Sequence, residues 1–171
     1  LGAGLLAAQD GSSLSLYDGN GKPRAALRAD KDGPSLKLFN EKIDVRAGLS
    51  VDKDESLLRM SDENGKLRAA LAVTKKGPVL GLSGENGKQR VALAVMMDSS
   101  MLTMTDENGN PRAGLSADKD GPSLNLYDKN GKGRSTLGVC STEAPDGRKI
   151  AYPESSLRLF GPDGKGIWSA P

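Results

Sequence analysis

Histidine is absent from this sequence, which removes the commonest general base and the commonest metal ligand together. Cysteine occurs once, at Cys140, so no disulfide can close within the chain, and a thiol nucleophile would have no imidazole to activate it. No serine stands in a GxSxG elbow, and there is neither a Walker loop nor a dinucleotide fingerprint. These absences argue against an enzyme and against a bound cofactor. Aromatic residues make up 4% of the chain and hydrophobic residues 36%, which is thin for the core of a globular domain of this length. No apolar run approaches the roughly 20 residues of a membrane-spanning helix; the longest candidate, Leu1 to Ala8, is short and rich in Ala and Gly. Nor is there a surplus of charge. With 24 basic and 22 acidic residues, no net field draws the chain to nucleic acid or anionic lipid.

What the chain does have is period. Arg24, Arg46, Arg68, Arg90, Arg112 and Arg134 stand 22 residues apart, as do Leu27, Leu49, Leu71, Leu93, Leu115 and Leu137. A further column runs through Leu36, Leu58, Leu80, Leu102 and Leu124. A fixed period of this size marks a stacked architecture in which each unit buries its apolar face against its neighbours.

Within one unit the pattern is that of a hairpin. Leu14 and Leu16 alternate with Ser15 and Tyr17, a period of two that describes a strand with one apolar face. Asp18, Gly19, Asn20, Gly21 and Lys22 follow, and Asn-Gly between alternating runs predicts a type I′ turn. The return strand carries Ala25, Leu27 and Ala29 on one face. With the turn at Asn20 and Gly21, Leu16 faces Ala25, Leu14 faces Leu27 and Tyr17 faces Arg24, so apolar meets apolar. Closing the second connection at Asp32 and Gly33 pairs Ala29 with Leu36 and Leu27 with Leu38, and places Pro34 in the turn. The expected fold is therefore all-β: tandem 22-residue hairpins in an elongated meander. About fifteen strands at ~4.8 Å would give a rod of roughly 70 Å.

Imperfect copies show what each position needs. Asn40 to Asp44 replaces the Asn-Gly turn in one unit, and Met96 to Ser100 replaces the second turn in another, while the leucine columns persist. In the return strand of each unit, strand b, the neighbours on the other face stay small, at Ala26, Gly48, Ala70, Ala92 and Gly114. A solvated face and the close approach of another chain explain this equally well. The chain opens in mid-unit, so repeat sequence is expected upstream. The organisation reads as tandem repeats over 1–139, an inserted loop over 140–156 containing Cys140 and Tyr152, and a capping unit over 157–171 with Trp168.

Two motifs invite a chemical reading. Asp30, Lys31, Asp32 and Gly33 resemble the start of a calcium loop with Glu41 at its twelfth position, but Pro34 and Leu36 stand where ligands belong and Ser35 where glycine is required. A plain Asp-Gly turn is the better explanation, and no metal is expected. The arginine column, beside turn carboxylates and Tyr17, is expected to stack and pair locally. Tyr152 and Trp168 are the candidate contact surface.

The DENGKxRAxL units with a terminal GKGIWSAP resemble bacterial proteins built of such 22-residue β-repeats, in which the units often follow a membrane-anchored or coiled-coil segment. The plan is also similar to trimeric fibre shafts of phages and viruses. That resemblance implies a structural stalk or spacer at a cell surface, outside the cell or in the periplasm, or else an adhesin or carbohydrate-binding fibre. The stripe through Leu14, Leu16, Leu27, Leu36, Leu38 and Leu49 has no second layer in the chain to cover it. A homotrimeric β-prism is the expected solution, with a monomeric β-solenoid of parallel coils as the alternative.

Overall fold

A computed structural model of the chain describes residues 2–143 and 149–170, and the side chains at 2–139 and 156–170. The described residues form strands and turns without a helix. Two units divide the chain, 1–87 and 88–171. The first holds β1 (Ala3–Ala8), β2 (Gly11–Tyr17), β3 (Pro23–Asp30), β4 (Gly33–Phe39), β5 (Val45–Val51), β6 (Glu55–Ser61), β7 (Leu67–Thr74) and β8 (Gly77–Ser83). The second holds β9 (Gln89–Met96), β10 (Ser99–Thr105), β11 (Pro111–Asp118), β12 (Gly121–Tyr127), β13 (Gly133–Glu143), β14 (Lys149–Phe160) and β15 (Gly166–Ala170). In each unit every strand pairs antiparallel with the next along the chain, and neither meander closes on itself. These ladders are those of hairpins, and differ from the parallel coils of a solenoid.

Alternation at period two sorts the side chains onto two faces. One carries an in-register row of leucines: Leu5, Leu14, Leu27, Leu36, Leu49, Leu58, Leu71 and Leu80 are successive cross-strand partners in the first unit. In the second, Leu93, Leu102, Leu115, Leu124, Leu137 and Leu157 form the same row. A parallel row on the same face alternates large and small side chains: Leu16, Ala25, Leu38, Ala47, Met60, Ala69 and Leu82. The other face carries Ser15, Ala26, Lys37, Gly48, Arg59, Ala70 and Gly81 in order.

Among the described residues, nothing covers the leucines. From Leu14 to Leu80 the central row is 38% to 51% exposed, and Ala94 is the one buried apolar side chain among the described residues. The chain exposes 11714 Å², against about 8000 Å² for a folded monomer of this mass. Two rows of large side chains thus face solvent where a core would be.

The two kinds of turn differ from the sequence expectation in instructive ways. The first is a three-residue loop with a bulge and not a type I′ turn. The Gly21 amide donates to the Asp18 carbonyl at 3.0 Å, and the Asp18 amide donates to Lys22 O at 2.9 Å. Only Gly21 is left-handed, at φ +76°, with Asn20 on the ordinary side. Asp18 Oδ1 fixes the turn by accepting from the amides of Asn20 (2.9 Å) and Lys22 (3.0 Å). The extra residue shifts the register so that Tyr17 pairs with Pro23 and not with Arg24. Asp62, Asp106 and Asp128 build the same turn. Where Asn40 to Asp44 stands in, the same bonds form around Asn40 Oδ1, and Ile43 is held at φ +68° in the glycine position.

The second turn lies one residue earlier than expected. Asp30 pairs with Gly33, leaving Lys31 and Asp32 as the loop, so Leu27 faces Leu36 and Ala25 faces Leu38. This is a slip of two from the predicted pairs, and a slip of two keeps each side chain on its face. Pro34 accordingly sits inside β4, paired with Ala29. Since Asp30 and Gly33 face each other across the turn as a hydrogen-bonded pair, the Pro34 nitrogen points toward β5, beyond the last pair of that ladder, Ser35 with Ser50. The missing N–H interrupts nothing.

The stretch expected as an inserted loop over 140–156 is paired strand where it is described. β13 and β14 continue past the usual turn position, pairing Cys140 with Tyr152 and Glu143 with Lys149 after a register shift between Gly138 and Cys140. Where they are described, these residues extend β13 and β14 beyond the length of the other strands.

Candidate functional site

The edge formed by the five-residue turns is where the arginine column lies, and the bulge explains the column. Arg24, Arg46, Arg68, Arg112 and Arg134 are each the unpaired extra residue at a register shift. Freed from the ladder, the side chain reaches two ways. It turns back to the carboxylate of its own turn: Arg24 Nη2 to Asp18 Oδ2 at 2.7 Å, Arg68 Nη1 to Asp62 Oδ2 at 3.2 Å, and Arg112 Nη2 to Asp106 Oδ2. It also reaches forward to the carbonyl at the start of the next turn: Arg46 Nε to Ser61 O at 2.9 Å, Arg68 Nε to Ser83 O at 3.1 Å and Arg90 Nε to Thr105 O at 2.8 Å. The turn lysines make a second forward contact. Lys22 Nζ donates to Glu41 O and Lys66 Nζ to Glu85 O, both at 3.0 Å. Each turn is therefore tied to the next, and the expected pairing of arginines with turn carboxylates is present. Among the described residues a cation meets a ring at Arg158 over Phe160, 5.6 Å from the centroid, and not at Arg24 and Tyr17.

These bonds hold the turn aspartates ionised. The Asp18 carboxyl is held below the ordinary aspartate value chiefly by the Lys22 amide, with the Asn20 amide and Arg24 adding to it. At Asp62, loss of water around the carboxylate opposes the shift, but the Lys66 and Asn64 amides and Arg68 overcome it. Asp106 is lowered furthest, first by the Asn110 side-chain amide. A carboxylate depressed by folding contributes stability that is present above the unfolded pKa and lost as pH falls through the folded one. Thermal midpoints are accordingly expected to be flat above about pH 5 and to fall below about pH 4, with a shallower acid limb in Asp106→Asn. A midpoint that rises on acidification would contradict this account.

Trp168 pairs with Leu159 on the leucine face and is half exposed. The Tyr152 backbone pairs with Cys140, and its side chain lies outside the described residues. The two are therefore not shown as one contact surface.

Sequence reasoning passed over one feature. On the small-residue face of the first unit, a cleft of about 400 Å³ is lined by Arg28, Lys37 and Arg59, with Ser35, Gly48 and Ser50 among its other residues and Asp30, Asp32 and Asp52 at the strand ends. Lys37, Gly48 and Arg59 are successive cross-strand neighbours. A Cβ on Gly48 would lie 3.4 Å from Arg59 Nε and 3.6 Å from its Cγ, so the Arg59 side chain lies over the glycine. The small residues of strand b thus leave room here for long side chains from the strands beside them. The signal that could have revealed the cleft is the departure of positions 28, 37 and 59 from the repeat. No protein-family model matches the chain, and no curated protein is detectably similar to it.

Proposed function

We propose that the chain is a structural stalk or spacer of a bacterial or phage surface or periplasmic assembly, without catalytic activity, working as a homotrimer. The single observation that supports this reading is the unbroken leucine row, half exposed along each unit. A lone sheet wet on both faces has no interior to offset its conformational entropy, and a contiguous apolar patch of this length marks an association surface. Three identical copies facing a common axis would bury the row in a closed prism. The second row, with Ala25, Ala47 and Ala69 between larger side chains, suits a narrow interior. The likeness to bacterial repeat proteins and to trimeric fibre shafts points the same way and supports the reading of a cell-surface or periplasmic protein.

Light scattering on the purified chain tests the assembly. The expected result is a mass near three times the 17.9 kDa of one chain at micromolar concentration. A mass of one chain would overturn the trimer and favour a chain that wraps its own core. The second reading, an adhesin or carbohydrate-binding fibre, is favoured by the cationic cleft. It is compatible with the same assembly, because a prism built on the leucine faces turns the small-residue face outward.

A further inference from the structure

We propose that the cleft over β3 to β6 binds acidic glycan, with Lys37 and Arg59 holding one carboxylate or sulfate group and Arg28 a neighbouring one. This goes beyond the stalk reading and rests only on the small-residue face being open to solvent, trimer or not.

The first argument is departure from the repeat. Along the period, the position of Lys37 and Arg59 is Ser15, Gly81, Thr103 and Asn125 in the other units. The position of Arg28 is Leu6, Ser50, Ala72, Ala94, Ser116 and Gly138. Long cations appear at these two positions only where β3, β4 and β6 bring them to one cleft. Arg158 is the one similar case, in the atypical last unit. A locus where a repeat abandons its own small-residue rule is where function is expected to override packing.

The second argument is that two of the three cations, Lys37 and Arg59, are brought to one cleft without an ion-pair partner, the three carboxylates of the lining standing at its rim. Lys37 and Arg59 flank Gly48 from opposite sides, about 10 Å apart at the backbone by the spacing of two strands, and the Arg59 side chain lies over the glycine. Neither makes an ion pair or a side-chain hydrogen bond among the described residues. The carboxylates at the rim serve their own turns: Asp30 Oδ1 accepts the Asp32 amide at 3.0 Å, and Asp52 Oδ1 accepts those of Asp54 and Glu55 at 2.8 and 2.9 Å. Arg28 Nε stands 3.9 Å from Asp30 Oδ2, too far for a strong bond. An oxyanion entering between Lys37 and Arg59 would supply the missing charge.

The lining then selects the polymer. Ser35 and Ser50, cross-strand partners on the same floor, offer hydroxyls that can hydrogen-bond a sugar, and Leu57 beside Ser50 offers an apolar patch for a ring face. The cleft lining includes no aromatic side chain, so nucleobases would find no stacking platform.

The test is binding of the full chain to a heparin oligosaccharide at low ionic strength, followed by calorimetry, with neutral dextran and single-stranded DNA as comparisons. Lys37→Ser with Arg59→Gly installs residues that the repeat itself uses at this position, so the fold is expected to survive, as circular dichroism and the thermal midpoint will show. Removing two charge-assisted contacts is expected to weaken heparin binding by roughly tenfold or more. Lys76→Ser with Lys119→Ser changes net charge equally at residues outside the cleft lining and is expected to leave binding within about twofold. No heparin binding by the unmodified chain, equal losses in both double variants, or binding of DNA as tight as heparin would each overturn the assignment.

Discussion

Replacing Leu49 by Asp is expected to abolish self-association. Leu49 stands mid-row between Leu36 and Leu58, on a strand with a neighbour on both sides, and is 48% exposed in the single chain. In the proposed prism that half is covered by the other copies. Its loss removes about 1–2 kcal/mol of apolar burial from each chain. The larger effect is the charge. Three carboxylates would meet near the axis without partners, at a cost of several kcal/mol each or protonation instead. The expected outcome is a mass of one chain by light scattering, with loss of cooperative unfolding, since a wet sheet does not persist alone. Ser15→Asp, on the opposite face, is expected to leave the mass unchanged. A Leu49→Asp protein that remains trimeric would show that the leucine face is not the interface.

Gly33→Ala is expected to be the most damaging single substitution among the turns, costing about 3 kcal/mol or more. Gly33 lies at φ +118°, and a Cβ there would run into the carbonyl oxygen of Val51 on the next hairpin. The clash is with backbone, so β5 must move. The glycine of the five-residue turn is a different case. Gly65 lies at φ +76° with open space around its Cβ, so Gly65→Val carries only the left-handed penalty, about 1–2 kcal/mol. Ile43 already bears that penalty at the equivalent position, and Ile43→Gly is expected to recover about 1 kcal/mol. Urea unfolding would rank the three, and hydrogen exchange would show which strands open. Gly65→Val should loosen its own hairpin, whereas Gly33→Ala should expose β4 and β5 together. A Gly33→Ala protein more stable than Gly65→Val would refute the proposed clash.

The contrast between these glycines shows what could be read from sequence. The period of 22 and the alternation within Leu14 to Tyr17 and Ala25 to Ala29 were enough for strands, hairpins and the apolar face. Parity is a coarse ruler, however. It distinguishes one face from the other but is blind to a slip of two, which is why alternation allows Leu27 against Leu38 while the structure has it against Leu36. The bulge at each arginine is hidden for a related reason: an extra residue repeated in every unit leaves the period untouched. Nor does composition separate an inserted loop from a longer hairpin at 140–143 and 149–156, because the pairing of Cys140 with Tyr152 depends on where the chain turns. The cationic cleft escaped because a consensus averages away the positions that depart from it. Arg28, Lys37 and Arg59 are informative only when the strands have been laid side by side.

The forward ties between turns have a consequence for how such a gene can change. Arg46, Arg68 and Arg90 each reach a carbonyl 15 residues ahead, and Lys22 and Lys66 one 19 residues ahead. Because the offset is the same at these joins, they are interchangeable with one another, while later ties vary, Lys88 reaching Asn108 O 20 residues ahead and Arg112 reaching Asp128 O 16 ahead. Unequal recombination that inserts or deletes 22 codons among the regular units would therefore regenerate their ties and keep both faces in phase. A loss of one codon within a strand would turn the following side chains over. Selection can thus set the number of repeats in whole steps while leaving the chemistry of each joint untouched, which makes length the most freely adjustable property of this protein.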